Sequence, residues 1–273
     1  MLFRFLSIVI LISLLTLSCK DSSINKQKKA TSNTLEIPET NHPDFVSNME
    51  VAHQKSKLLQ NGVVCFNLDM TFGGSNSKMK IFTTPTSSAI RVDKKDGAST
   101  VMLNGEIFTD TDSSKWKGEE FGIFTYQYFF MAPFKFSDNG TVWKKLSDMK
   151  IEGENTNRAK LTFESGTGDA PNDWYVVHSD PTTNQVKYIG YIVTGGGTTF
   201  EEAEKNAHAI KYSEYIEVDG VPIASKWEFF DYNKDEGLGE KIGEGIIKNI
   251  EMMDVVDQFE IINDGTYTKI SGD

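Results

Sequence analysis

The chain has 273 residues, 28 Lys and Arg against 39 Asp and Glu, a formal net charge of −11 and two cysteines. A chain this acidic repels phosphate backbones, and no basic stripe reverses the sign locally, so nucleic acid is excluded as a partner. With only Cys19 and Cys65 present there is no disulfide framework, and stability has to come from a hydrophobic core.

Met1-Leu2-Phe3-Arg4 gives a short basic start, Phe5 to Leu17 is almost unbroken apolar sequence, and the small Ser18 precedes Cys19. That order predicts a secretory signal. The apolar run falls short of the ~20 residues that a membrane-spanning helix takes, and the polar Lys20-Asp21-Ser22-Ser23 ends it. Leu17-Ser18-Cys19 resembles bacterial lipoprotein signals, with Thr16 standing where those signals usually carry Leu. The resemblance implies removal of residues 1–18 and a lipid on Cys19, anchoring the chain to the bacterial outer membrane or cell surface. An ordinary secreted protein with an incidental cysteine is the alternative. Lys20-Asp21 also resembles surface-export signals of Bacteroidota lipoproteins. Cutting off residues 1–18 takes away only Arg4, leaving 27 cations against 39 anions and a net charge of −12. Attraction to anionic headgroups is then unfavourable, and the lipid has to do the anchoring.

Residues 19–42 are polar, with Lys26, Lys28 and Lys29 among Ser, Thr and Asn, and read as a flexible tether. From Pro43 to Gln60 the apolar spacing predicts one amphipathic helix, capped by Asn61-Gly62. Beyond Gly62 the period becomes two. Phe66, Leu68, Met70 and Phe72 share one face of a strand that contains Cys65 as a small buried residue. Further strands are expected at 78–82, 89–93, 100–103 and 106–108, with Asn104-Gly105 as a hairpin turn that needs φ > 0 at both residues. Residues 119–136 are too aromatic and continuous for a two-faced strand. They predict a helix ending near Ala132, because Pro133 follows. Strands resume at 158–164, 174–178, 185–193, 209–217, 223–232 and 243–249. Thr199-Phe200-Glu201-Glu202 is a capping box opening a short helix. One domain is expected over 43–262, followed by a C-terminal tail, 263–273.

Strands preceded by an amphipathic helix and interrupted by an apolar helical insertion predict an α+β fold: a curved antiparallel sheet covered by helices. Three segments carry a resemblance to lipoprotein-sorting carriers (LolA- and LolB-like proteins), and more narrowly to an uncharacterised family of Bacteroidota lipoproteins. They are Tyr128 to Asp138, Asp173 to Val177 with Asp180-Pro181-Thr182-Thr183, and Lys226 to Phe230. The resemblance implies a half-open β-barrel with helices packed over its concave face. It also implies an apolar lipid or acyl ligand lined by Phe129, Phe130, Phe134 and Phe136, with Tyr126 and Tyr128 offering hydroxyls at the rim. Two arrangements satisfy the aromatics: they line a cavity, or they plug the barrel and leave none.

No constellation for catalysis or metal binding emerges, so no cofactor and no metal are expected. Gly195-Gly196-Gly197 lacks the Lys-Ser/Thr of a phosphate loop. His42, His53, His178 and His208 form no zinc spacing. Asp231 to Gly237 misses the glycine position and the closing Glu of a calcium loop, and reads as an acidic hairpin turn. Gly73 to Ser77 is no nucleophile elbow. Trp174 and Trp227 read as core residues. A membrane-anchored envelope protein that binds or carries an apolar ligand is the leading reading. The alternatives are an envelope scaffold or adaptor that contacts a protein partner, and a glycan or lipid hydrolase.

Overall fold

The computed structural model describes residues 42–168, 170–194, 198–254 and 257–270. The leader, Cys19, the tether up to residue 41 and Gly195-Gly196-Gly197 lie outside them. Five strands come first: β1 (Val63–Phe72), β2 (Ser75–Thr83), β3 (Ala89–Lys94), β4 (Ser99–Leu103) and β5 (Glu106–Thr109). After a helical insertion follow β6 (Thr141–Lys145), β7 (Met149–Ile151), β8 (Glu154–Phe163), β9 (Tyr175–Ser179) and β10 (Val186–Tyr191). The series closes with β11 (His208–Val218), β12 (Val221–Asn233), β13 (Gly237–Met253) and β14 (Thr268–Ile270).

Among the described residues these form one antiparallel sheet in the order β14-β5-β4-β3-β2-β1-β13-β12-β11-β10-β9-β8-β6, with β7 attached to β8 alone. The two end strands do not pair, so the barrel is open. Local turns build most of this order. Gly73-Gly74, Asn104-Gly105 and Asp219-Gly220 all adopt positive φ, the backbone a tight hairpin requires. Two long-range joins complete it: β1 against β13, which brings the ends of the domain together, and β14 against β5 at one edge. A bulge there, at Asn249 with φ 51°, bends the longest strand and sharpens the curvature.

Helices α1 (Asp44–Ala52), α2 (Lys55–Leu58) and α3 (Trp116–Met131) cover the inner face, and the main core lies between them and Phe66, Leu68, Ile81, Ile189, Trp227 and Phe229. Phe66 stacks on Phe130 with ring centroids 4.0 Å apart. The outer face carries two smaller clusters. Helix α4 (Phe200–Lys205) brings Ala203 over Trp174, Val176 and Ala209, and Phe259 of the 3₁₀ turn Asp257–Asp264 packs on Val63, Cys65 and Val101. The capping box of α4 forms as expected, Thr199 and Glu202 satisfying each other's backbone N–H groups.

Several expectations need correction. The single helix over Pro43–Gln60 is two helices, broken at Gln54, which sits at φ 56°. The break turns His53 into the core, where its Nε2 accepts a hydrogen bond from Val186 N. Gly62 is not a left-handed cap. A Cβ there would lie 2.5 Å from the Asp254 carbonyl, so the glycine permits β13 to close on the start of β1. Helix α3 starts before the acidic pair, and Glu119 is buried and paired with Lys94 at 2.5 Å. It ends at Met131, but Ala132–Phe134 continues as a 3₁₀ turn with Ala132 still helical. Strands β6 and β7 have no counterpart among the expected elements. Within the expected C-terminal tail, Thr268–Ile270 pairs with β5 as an edge strand.

Candidate functional site

Between α3 and the inner face of β8 to β10 lies a cleft of about 390 Å³, the size of a small-ligand pocket. Helix α3 supplies Phe121, Phe124, Tyr128 and Phe129. The sheet supplies Phe163, Tyr175 and Tyr191, and Val193 follows directly after β10. The loop after α3 adds Lys135, Asp138 and Thr141, and the segment before β9 adds Thr167, Ala170 and Asp173. The walls are mostly apolar, with polar groups gathered at the loop end.

The periodicity of α3 explains how this wall arises. Tyr128 and Phe124 lie one helical turn apart and project the same way, as do Phe121 and Thr125. On the sheet side, Tyr175 and Tyr191 stand directly opposite each other across β9 and β10. The Tyr128 and Tyr175 rings approach to 5.3 Å, and those of Phe129 and Tyr191 to 4.9 Å. Burial raises the hydroxyl pKa of Tyr128, Tyr175 and Tyr191 above the ordinary value, so all three stay protonated at any physiological pH.

The loop end is fastened to the first helices. Glu50 of α1 accepts from Ser137 N and from Ser137 Oγ, both at 2.7 Å, and pairs with Lys55 at 2.8 Å. Lys135 and Lys55 both reach Asp138, at 2.6 and 3.5 Å. Asp173 accepts from Thr194 N and Thr194 Oγ1 at 2.7 Å, tying the start of β9 to the end of β10. These contacts hold the polar rim in place, while ring contacts join the two cleft walls at their inner end.

The six aromatics singled out in the sequence are not gathered in one place. Phe129 and Tyr128 line the cleft. Phe130 and Phe134 border a void of only about 10 Å³, too little for a water molecule to occupy comfortably, and are part of the packed core. Phe136 is fully buried, with Trp143 at 5.3 Å. Tyr126 is half-buried against the main core, and burial raises its hydroxyl pKa too. Plugging and lining therefore both occur: the C-terminal end of α3 plugs the barrel, and its middle lines the cleft. The sequence reading missed Phe121, Phe124, Phe163, Tyr175 and Tyr191. The aromatic residues of β9 and β10 carried a legible signal, since alternation puts Tyr175 on the same face as Val177.

Among the described residues no three His, Cys, Asp or Glu side chains come together as a metal cluster, and no helix is long and apolar enough to cross a membrane. Cys65 is buried, and its thiol is pushed up to about 11 by desolvation, which leaves it an unreactive packing residue.

Compared with protein-family models and with curated proteins, the sequence matches none. Solved structures do match. A LolA superfamily protein from Nitrosomonas europaea aligns with a TM-score of 0.50 at 9% identity, over 77% of this chain and 96% of that one. A putative outer membrane lipoprotein-sorting protein domain from Vibrio parahaemolyticus aligns with a TM-score of 0.51 at 11% identity, over 81% of this chain and 99% of that one. At such identities the likeness is one of fold: this chain is an open, curved antiparallel sheet with inner helices, built as in LolA superfamily proteins.

Proposed function

We propose that the protein is an exported envelope lipoprotein, anchored through a lipid on Cys19 to the outer membrane or cell surface, that binds or carries an apolar acyl ligand. One observation carries the ligand reading: the fold leaves a cleft of about 390 Å³ between α3 and the sheet, walled mainly by aromatic and aliphatic side chains. Closing such walls on each other would remove apolar surface from water, and a chain that keeps them apart has a use for an apolar occupant. The anchoring reading rests on the leader sequence, the small residue before Cys19 and the polar tether that follows. The fold likeness to a putative outer membrane lipoprotein-sorting domain accords with a carrier role.

Both halves are testable on the full-length protein. Cys19→Ser should release it from the membrane fraction and abolish the mass increment of acyl chains on its N-terminal peptide. Unchanged membrane attachment would remove the anchor from this reading. For the ligand, organic extraction of the purified protein followed by mass spectrometry should recover acylated molecules in near-stoichiometric amount. A protein that releases nothing and takes up no acyl probe would leave the adaptor reading in its place.

A further inference from the structure

The cleft contains a group of hydroxyls that the packing leaves unused. Five tyrosines surround the inner end of α3 and β9 to β11. Tyr212 donates to the Phe129 carbonyl at 2.9 Å, and Tyr215 donates to the Val186 carbonyl at 2.7 Å. Tyr128, Tyr175 and Tyr191 make no hydrogen bond to another described residue, although all three line the cleft and Tyr191 is only 4% exposed. The three hydroxyls open on the cleft rather than into packed protein, where they are placed to donate to whatever occupies it. The three belong together: Tyr175 faces Tyr191 across the β9–β10 register, and Tyr128 approaches Tyr175 from the helix.

The charges around the cleft decide what kind of partner fits. Its described lining holds one cation, Lys135, against two carboxylates, Asp138 and Asp173. Lys135 is already paired with Asp138 at 2.6 Å. A ligand carboxylate entering here would add a negative charge with no uncommitted lining cation to meet it, in a protein whose net charge is already −11. An ester or amide carbonyl accepts from phenols at no such cost, and burial keeps those phenols in the donating form.

We infer that Tyr128, Tyr175 and Tyr191 form a head-group site that takes an uncharged acyl ester or amide and rejects the free carboxylate. This rests on the acyl-binding reading above and specifies its ligand class.

The test uses five probes of similar chain length: methyl laurate, the N-methyl amide of lauric acid, laurate, tridecane, which has no acceptor, and the cationic dodecyltrimethylammonium. At pH 8 the protein should bind the ester and the amide roughly tenfold more tightly than laurate. Changing all three tyrosines to phenylalanine keeps the rings and should weaken ester binding roughly tenfold while leaving tridecane unaffected. The single Tyr128→Phe, Tyr175→Phe and Tyr191→Phe variants read the same contrast if the triple variant is poorly folded. Equal binding of laurate and ester overturns the inference, as does an ester affinity indifferent to the hydroxyls. Tighter binding of dodecyltrimethylammonium than of the ester overturns it too, because the carboxylates would then govern the site. Binding of none of the probes sinks the acyl-ligand reading itself, an outcome distinct from loss of selectivity alone.

Discussion

Gly190→Ala should destabilise the protein by about 3–5 kcal/mol, the sum of an overpacking cost and a broken buried hydrogen bond. A Cβ at this position would sit 2.3 Å from Cε1 of Tyr232. The reason is a row of small residues on the outer face of the sheet. Tyr232 belongs to β12, yet its hydroxyl reaches His178 of β9 at 3.1 Å, three strands along the sheet. To get there the ring crosses Ala209 of β11 and Gly190 of β10, which are directly paired. Any side chain on Gly190 lifts the ring and strips His178 of its partner. Chemical denaturation of Gly190→Ala, Tyr232→Ala and the double variant measures this. In the Tyr232→Ala background the glycine substitution should cost less than about 1 kcal/mol, giving a coupling of at least ~2 kcal/mol. Additive costs would show that the ring does not depend on the glycine.

Stability should also fall steeply as pH drops from 6.5 to 5, a range above the ordinary carboxylate pKa values. Two buried histidines cause this. His53 accepts from Val186 N at Nε2 and is hydrogen-bonded to the Pro222 carbonyl through its other nitrogen. Burial lowers its pKa from the ordinary 6.5 to about 4. His178 is fully buried, bonded to Thr156 Oγ1 at 3.0 Å and to the Tyr232 hydroxyl. Because the Thr156 hydroxyl donates to the Met149 carbonyl, the threonine oxygen accepts from His178 Nδ1, and Nε2 accepts from Tyr232. Desolvation, helped by the nearby Arg158 charge, brings the His178 pKa down to about 3.

Both rings are therefore fully satisfied only when neutral. The unfolded chain takes up protons near pH 6.5 and the folded one does not, so stability is flat above 6.5 and lost below it. Each site contributes a slope approaching ~1.4 kcal/mol per pH unit, and together about 4 kcal/mol by pH 5, a large part of a typical domain's stability. Urea midpoints at pH 5, 6 and 7.5 should show the decline. In the His53→Gln, His178→Gln double variant the curve should flatten over this range whatever its absolute stability. A parallel decline in that variant would assign the acid sensitivity to other groups.

The candidate site was half legible from the residues. The aromatic run of α3 marked one wall, because a stretch that apolar must be buried on most sides. It could not show that Phe130 and Phe134 meet Phe66 and His53 and close the barrel, while Tyr128, two residues before Phe130, and Phe124, one turn further back, face the cleft. Helix rotation is set by what packs against it, and the packing partners come from β1 and from β9 to β11, far away in sequence. The opposite wall was hidden for a related reason. Tyr175 and Tyr191 lie in short strands whose pairing depends on a register formed only once the sheet assembles.

By itself the sequence determined the local elements: the two-residue alternation of the strands, the Asn104-Gly105 turn, the capping box at Thr199 and the end of α3 beside Pro133. All of these follow from the conformational preferences of neighbouring residues. Only the tertiary structure decided the break at Gln54, the use of Gly62 and Gly190 for close approach, the pairing of β1 with β13, and the enlistment of the short strands β6, β7 and β14. Each of those arises from contact between segments remote in the chain. At Gln54 a backbone unfavourable by local preference is outweighed by burying His53, and at the three short strands a sheet edge pairs with residues too few and too polar to announce themselves.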